Sequence, residues 1–388
     1  MKILVVIPTG QVFGLAHATL RFFKHLNPER FSVRFLVTHW NDGNFIERLN
    51  SLGIRFDLSY LGFLSKQPTW SNIRMTAECL LRLPWLFWDL QRLRRQHRFD
   101  LFYVSGYHLL IQMFPILLWS RIPVVCHVHE YYPDTCFYRV LFRLLDRAVT
   151  RYVVVSDAVR SRLQALGIAS AKIEKIYNGV EAAAFELNTS AKDIFRKRYG
   201  WAESTPLVAF VGRVDEPKGI HDFVEAARIV CAQRSDVRML LIGRAEESFR
   251  EEIDRRVREY GLDKVVVICG PERNSPDLFR SIDILVAPSR CEESFGLVVA
   301  EAMAAAKPVV VTRAGGLPEL IQDGETGFVV EKYDVPKMAE AILALVDDRA
   351  MAVEMGRKGR ARVEKLFDIA KQTQVLAGCL ADMVAMNR

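Results

Sequence analysis

Short runs of β-branched and aliphatic residues alternate with longer amphipathic stretches along the whole chain, and the alternation starts twice. In the first series the strand-like runs are Ile3–Ile7, Val33–Val37, Leu101–Val104, Val124–His127, Val153–Val155 and Ile173–Ile176. Helical stretches are expected at Ala16–Leu26, Asn72–Gln96 and Ala158–Leu166. The second series has runs at Leu207–Val211, Met239–Ile242, Val265–Ile268, Ile284–Ala287 and Val309–Val311, with helices at Ile220–Cys231, Ser248–Tyr260 and Gly296–Ala305. Near-continuous apolar strands separated by helices predict parallel sheets covered on both faces. Two series predict an α/β protein of two doubly wound, Rossmann-like domains facing a cleft, with ligands at the carboxyl ends of the strands. The 388 residues suit two domains, since a single core rarely grows so large. The break falls between Asn178-Gly179-Val180 and Pro206, giving domains 1–185 and 186–365 and a last amphipathic segment 366–388.

Other classes are disfavoured. The start, Met1 to Pro8, is too short for the apolar part of a signal peptide, and Leu109 to Trp119 is too short to span a bilayer. Seven scattered cysteines without a CxxC pair point to reduced thiols and a cytoplasmic setting. Residues 1–180 hold 23 Lys and Arg against 12 Asp and Glu, and the remainder holds 30 against 34, so the halves should meet different partners. In Leu81 to Trp88, and in Arg92, Arg94 and Arg95 after it, basic residues sit among aromatics. That mixture suits peripheral contact with anionic membrane, or a solvated helix with one buried face. No nucleic-acid motif accompanies it, and no nucleic-acid partner is expected.

Two segments carry the chemistry. In Glu293-Ser294-Phe295-Gly296-Leu297-Val298-Val299-Ala300-Glu301 a strand gives way to a helix, with Ser294 as the expected N-cap. Gly296 lets backbone approach a ligand, and the helix N-terminus suits a phosphate. Glu301, in the second turn, still reaches that end and can accept hydrogen bonds from ribose hydroxyls, while Glu293 can take sugar hydroxyls. The second segment, Val211-Gly212-Arg213-Val214-Asp215-Glu216-Pro217-Lys218-Gly219, sets a guanidinium and an ammonium five residues apart after a strand. Taken singly, each segment is equally a capped helix or a turn bearing solvated charges.

Together they resemble the large retaining GT-B glycosyltransferase family GT4, which includes bacterial mannosyl- and glucosyltransferases of envelope synthesis. Glu293 and Glu301 match its E-x7-E motif, and Arg213 with Lys218 its paired basic residues. Val154 to Val159 and Ile176 to Val180 resemble its domain-joining region, and Gly315 to Leu320 with Asp323 to Phe328 its C-terminal run. The resemblance implies transfer of a hexose-type sugar from a UDP- or GDP-linked donor to a lipid-linked or polysaccharide acceptor, with retention of configuration. It implies no cofactor, and no metal is expected because Asp-x-Asp and metal-ligand spacing are absent. Arg213 and Lys218 would hold the diphosphate, assisted by backbone N–H groups of Phe295, Gly296 and Leu297. Glu301 would bind ribose, Glu293 would fix the sugar, and Gly270 to Arg273 would lie near the base. His129, ending the His127-Val128-His129 strand, resembles the histidine that faces the donor sugar. Gly14 stands in the loop after the first strand, but Leu15 replaces the family's second glycine and His17 an acidic residue. The implied location is cytoplasmic, peripheral at the inner face of the plasma membrane, with residues 366–388 crossing back onto the first domain. Two other readings stay open: a nucleotide-sugar epimerase, or a silent nucleotide-binding partner subunit.

Overall fold

The computed structural model describes all residues except 8–13, 42, 63–69, 186–193, 273–274 and 387–388. The chain divides into two compact units, one of residues Met1–Gly179 with Ile369–Arg388, the other Val180–Asp368.

The first unit holds strands β1 (Lys2–Val6), β2 (Ser32–Thr38), β3 (Arg55–Ser59), β4 (Leu101–Ser105), β5 (Val124–Val128), β6 (Arg151–Val154) and β7 (Ile173–Lys175). They pair in parallel in the order β3-β2-β1-β4-β5-β6-β7. Its helices are α1 (Gly14–His25), α2 (Asn44–Ser51), α3 (Trp70–Leu81), α4 (Leu83–His97), α5 (Tyr107–Trp119), α6 (Cys136–Leu145) and α7 (Asp157–Ala165). Right-handed crossovers send α1 and α2 to one side of the sheet and α3 to α7 to the other, because the order reverses direction between β1 and β4. The expected single helix Asn72–Gln96 is two helices, α3 and α4. Pro84, in the first turn of α4, has no N–H and cannot continue a helix from the residues before it.

The second unit opens with a short helix, α8 (Ile194–Tyr199), ahead of strands β8 (Leu207–Val211), β9 (Arg238–Ile242), β10 (Val266–Gly270), β11 (Ile284–Ala287), β12 (Val309–Thr312) and β13 (Phe328–Val330). All neighbours are parallel, in the order β10-β9-β8-β11-β12-β13. Between and after them come α9 (Ile220–Gln233), α10 (Glu247–Glu259), α11 (Ser275–Ser281), α12 (Leu297–Ala304), α13 (Leu317–Leu320), α14 (Val335–Asp347) and α15 (Arg349–Leu366). The middle strands are buried over all but a terminal residue at most, which is why they read as continuous apolar runs. In both sheets the reversal between the first and fourth strands of the unit opens a crevice at the carboxyl edge.

The last helix, α16 (Ile369–Met386), belongs to the first unit and lies on α1. Ile369, Leu376, Leu380, Met383 and Val384 join the core that Ile3, Val5, Phe22 and Phe35 form beneath them. No helix among the described residues is long and apolar enough to cross a membrane.

Candidate active site

At the reversal point of the second sheet, β8 and β11 lie side by side, and the loops that follow them supply most of the residues singled out above. After β8, Asp215 closes a one-turn helix over Glu216–Lys218 by accepting from the Lys218 backbone N–H at 3.3 Å. Arg213 pairs with the Asp215 carboxylate at 2.9 Å and keeps most of its side chain in solvent. Gly219 follows in the left-handed region, φ 75°, with a Cβ position only 1.9 Å from the Pro288 carbonyl oxygen. No other residue fits there, so the β8 loop can press directly on the β11 loop. Two backbone bonds, from Arg290 and Cys291 N–H to the Pro217 carbonyl at 3.0 and 3.1 Å, fix that contact. The Arg290 guanidinium adds a two-pronged ion pair to buried Asp222 at 2.9 and 2.5 Å.

This docking brings Lys218 to Glu293. The ammonium donates to Glu293 Oε1 at 2.5 Å, and the Ser289 hydroxyl donates to the same oxygen at 2.6 Å. Both charged side chains are mostly buried. An ammonium has three N–H donors, so two of those on Lys218 carry no protein partner among the described residues. Glu293 is also held from behind. The Gly316 N–H donates to its carbonyl at 2.7 Å, and Gly315 (φ 54°) comes so close that a Cβ would stand 2.1 Å from that oxygen. Sequence reasoning missed Ser289, Asp215 and Arg290 as organisers of the site. The Gly315-Gly316 pair after a strand was the available sign of a close approach.

Ser294 is not the N-cap of α12. The helix begins at Leu297, the cap is Gly296 at φ 99°, and no side chain caps it. Ser294 stands two residues too early, because the left-handed Gly296 resets the chain direction just before the helix. Phe295 is buried, its ring edge-on to Phe367 at 5.7 Å, and so pins the backbone leading into α12. Leu297 opens the helix, and Glu301 is partly buried in its second turn. Gly270 ends β10, on the same carboxyl edge but two strands from β8. Arg273 lies outside the described residues.

The remaining two residues belong to the first unit. Gly14 is the first residue of α1, with open space where a Cβ would be. The rest of that loop lies outside the described residues. His129 follows β5, with its Nε2 2.9 Å from His127 Nδ1, and the Tyr103 hydroxyl is hydrogen-bonded to the same His127 nitrogen. Burial pushes the His129 imidazole down to about 3 from the ordinary 6.5. His127 is held low by burial and then by its neighbour His129. Both rings are neutral at physiological pH, and His129 is equipped for hydrogen bonding without charge.

Each ring binds its proton only below its depressed folded value, whereas the unfolded chain takes one up near 6.5, so the unfolded state holds more protons in between. The stabilisation is complete above that pH and lost as pH falls, at about 1.4 kcal/mol per pH unit for each histidine. Thermal unfolding followed from neutral pH to the mid-acid range is expected to show a melting temperature falling with acidity, less steeply by one proton in His129→Gln. Equal slopes in both proteins would refute the neutral buried pair.

Residues 191–362 match the model of the glycosyl transferases group 1 family, and residues 14–184 match that of Glycosyltransferase Family 4. The chain belongs to this glycosyltransferase family. Among relatives of the family is the lipopolysaccharide core biosynthesis mannosyltransferase LpsB of Rhizobium meliloti, 33% identical over 52% of this chain and 58% of that one. Another is the alpha-D-kanosaminyltransferase of Streptomyces kanamyceticus, 28% identical over 68% and 72%. The chain spans about half the length of the first curated relatives it matches. Its fold is that of Anabaena HepE, solved in complex with UDP-glucose, with a TM-score of 0.83 at 23% identity over 98% of this chain and all of the other. The lipopolysaccharide glycosyltransferase WaaG shares it at a TM-score of 0.70 and 15% identity, over 97% and 99%. The two doubly wound sheets expected from the alternating pattern are found, and the fold is the GT-B architecture that the resemblance implies.

Proposed function

We propose that the protein transfers a hexose-type sugar from a UDP- or GDP-linked donor to a lipid-linked or polysaccharide acceptor of the cell envelope. It acts without a metal, with retention of anomeric configuration, as a cytoplasmic protein peripheral to the inner face of the plasma membrane. One observation carries the reading: Lys218 and Glu293 meet at the reversal point of the second sheet, in the loops that also carry Arg213 and lead into α12. A sugar leaving a nucleoside diphosphate builds negative charge on the bridging phosphate oxygen. The two open N–H groups of Lys218, the exposed Arg213 fork and the N–H groups around Gly296 and Leu297 are the donors to meet that charge. Glu293, tied to Lys218 through one oxygen, keeps its other oxygen for a sugar hydroxyl, and Glu301 takes the ribose. His129 serves as a neutral hydrogen-bonding group toward the sugar being transferred. The front face is the side of attack, and the leaving phosphate takes the acceptor proton, so no carboxylate nucleophile is required. The LpsB name, a mannosyltransferase of lipopolysaccharide core biosynthesis, supports the envelope acceptor, and the UDP and UDP-glucose of the HepE structures support a nucleotide-sugar donor.

Calorimetric titration with UDP, GDP and ADP in the presence of EDTA tests this reading. One of the first two is expected to bind, and chelation to leave its affinity unchanged. Binding that disappears with EDTA would overturn metal independence, and no binding by any nucleotide would overturn the transferase reading. The anomeric proton coupling of the first product, followed by NMR, decides between retention and inversion.

A further inference from the structure

We propose that the outer layer of the first unit, formed by α3 to α6, seats on an anionic lipid bilayer. The inference rests on the reading of the protein as peripheral and identifies the face. Tryptophan and phenylalanine side chains are normally among the most buried in a fold. Here Trp85, Trp88, Trp119 and Phe137 are 57%, 64%, 83% and 66% exposed. All four lie on α4, α5 or α6, which pack in sequence on one side of the sheet, with α3 against α4.

The pattern on α4 shows that the exposure is built in. Leu86, Leu90 and Leu93 form its buried stripe. The opposite stripe, at steps of three and four, runs Trp85, Trp88, Arg92 and Arg95. The Arg92 guanidinium lies 5.4 Å above the Trp88 ring, so the aromatic and the cation form one surface unit. Asp89 is the only acid of the helix. It accepts from the Ser59 hydroxyl at 2.7 Å and lies 3.5 Å from Arg92. On α6, Phe137 and Val140 are exposed on the same helix as Arg139 and Arg143, with no acid among its residues, and Arg139 is paired with Asp134. The α5 helix holds no Asp, Glu, Lys or Arg and ends in exposed Leu118 and Trp119.

Indoles beside arginines fit the boundary of a bilayer, where the rings reach the acyl region and the cations meet phosphates. A second copy of the chain fits poorly, because a two-fold contact would set one arginine stripe against its own image.

Co-sedimentation of the full chain with phosphatidylcholine vesicles, with and without phosphatidylglycerol, is the test. The protein is expected to bind the anionic vesicles at low salt, with a blue shift of its tryptophan emission. Trp85→Ser with Trp88→Ser should weaken that binding at least about tenfold. Arg92→Gln with Arg95→Gln should weaken it roughly 30-fold on anionic vesicles only. Unchanged circular dichroism and nucleotide binding would show both variants folded. No binding to anionic vesicles would overturn the peripheral reading together with this inference. Binding that both variants retain would overturn this face alone. Self-association of the wild type, lost in the tryptophan variant, would give the surface to a second copy and also overturn it.

Discussion

Lys218→Ala is expected to lower kcat/KM for the nucleotide-sugar donor by about a hundredfold to a thousandfold, the usual loss when one preorganised donor to a developing anion is removed. Two effects act together. The leaving diphosphate loses a cation held within a mostly buried pair, where charge is weakly screened. The Glu293 carboxylate also loses the partner that fixes it 2.5 Å away and keeps only the Ser289 hydroxyl. Glu293 is then freer to rotate and repels the incoming diphosphate. Glu293→Gln separates the two effects, since its amide oxygen still accepts from Lys218 and Ser289 but carries no charge. If Glu293 serves the sugar, kcat falls in Glu293→Gln while nucleotide affinity stays or improves. In Lys218→Ala both fall. The double variant should cost much less than the product of the single losses, because the two groups act as one unit. A Lys218→Ala enzyme within about threefold of wild type in kcat/KM would remove this lysine from the transition state.

The second sheet was legible because its strands are buried on both faces and leave a continuous apolar signature, as in Leu207–Val211 and Ile284–Ala287. Two of the four edge strands were not. Arg55–Ser59 alternates charged and apolar residues and is only partly buried, and Phe328–Val330 has three residues, too few to show a period. The two halves of α3–α4 share one amphipathic pattern, so periodicity ran them together and only Pro84 marks the break. For the site, the residues proposed to meet a ligand, Arg213, Lys218, Glu293 and Glu301, stand out in the sequence through their two motifs and the family resemblance. The residues that hold them do not. Asp222 and Arg290 are 68 positions apart, and nothing local tells that they meet. Ser289 looked like an ordinary residue after a strand, yet its hydroxyl shares the oxygen that Lys218 uses. The misplaced cap at Ser294 has the same origin. A serine before a helix is the usual cap, and only the left-handed turn at Gly296 shows that the chain arrives from another direction.

Removing α16, by ending the chain at Asp368, is expected to unfold the first unit and not merely to slow turnover. Ile369, Leu376, Leu380, Met383 and Val384 are buried in the same core as β1, β2 and α1. At about 1.5–3 kcal/mol for each buried side chain, these five supply roughly 7–15 kcal/mol before the entropy of ordering the helix is subtracted. A domain's whole net stability is about 5–15 kcal/mol, so the loss is comparable to everything the unit has. The second unit does not use these residues, as its own core lies between α9, α10, α14 and the second sheet. The truncated chain should therefore keep a cooperative transition and nucleotide binding from the second unit. The first unit's near-ultraviolet dichroism should disappear, and its residues should become sensitive to protease. Leu380→Ala gives a graded version in the full chain, costing about 2–5 kcal/mol of first-unit stability with nucleotide affinity unchanged. A truncated chain whose first unit still resists protease would mean that α1 and the sheet close over their own apolar surface. In that case the helix would return to the first unit for some reason other than its core.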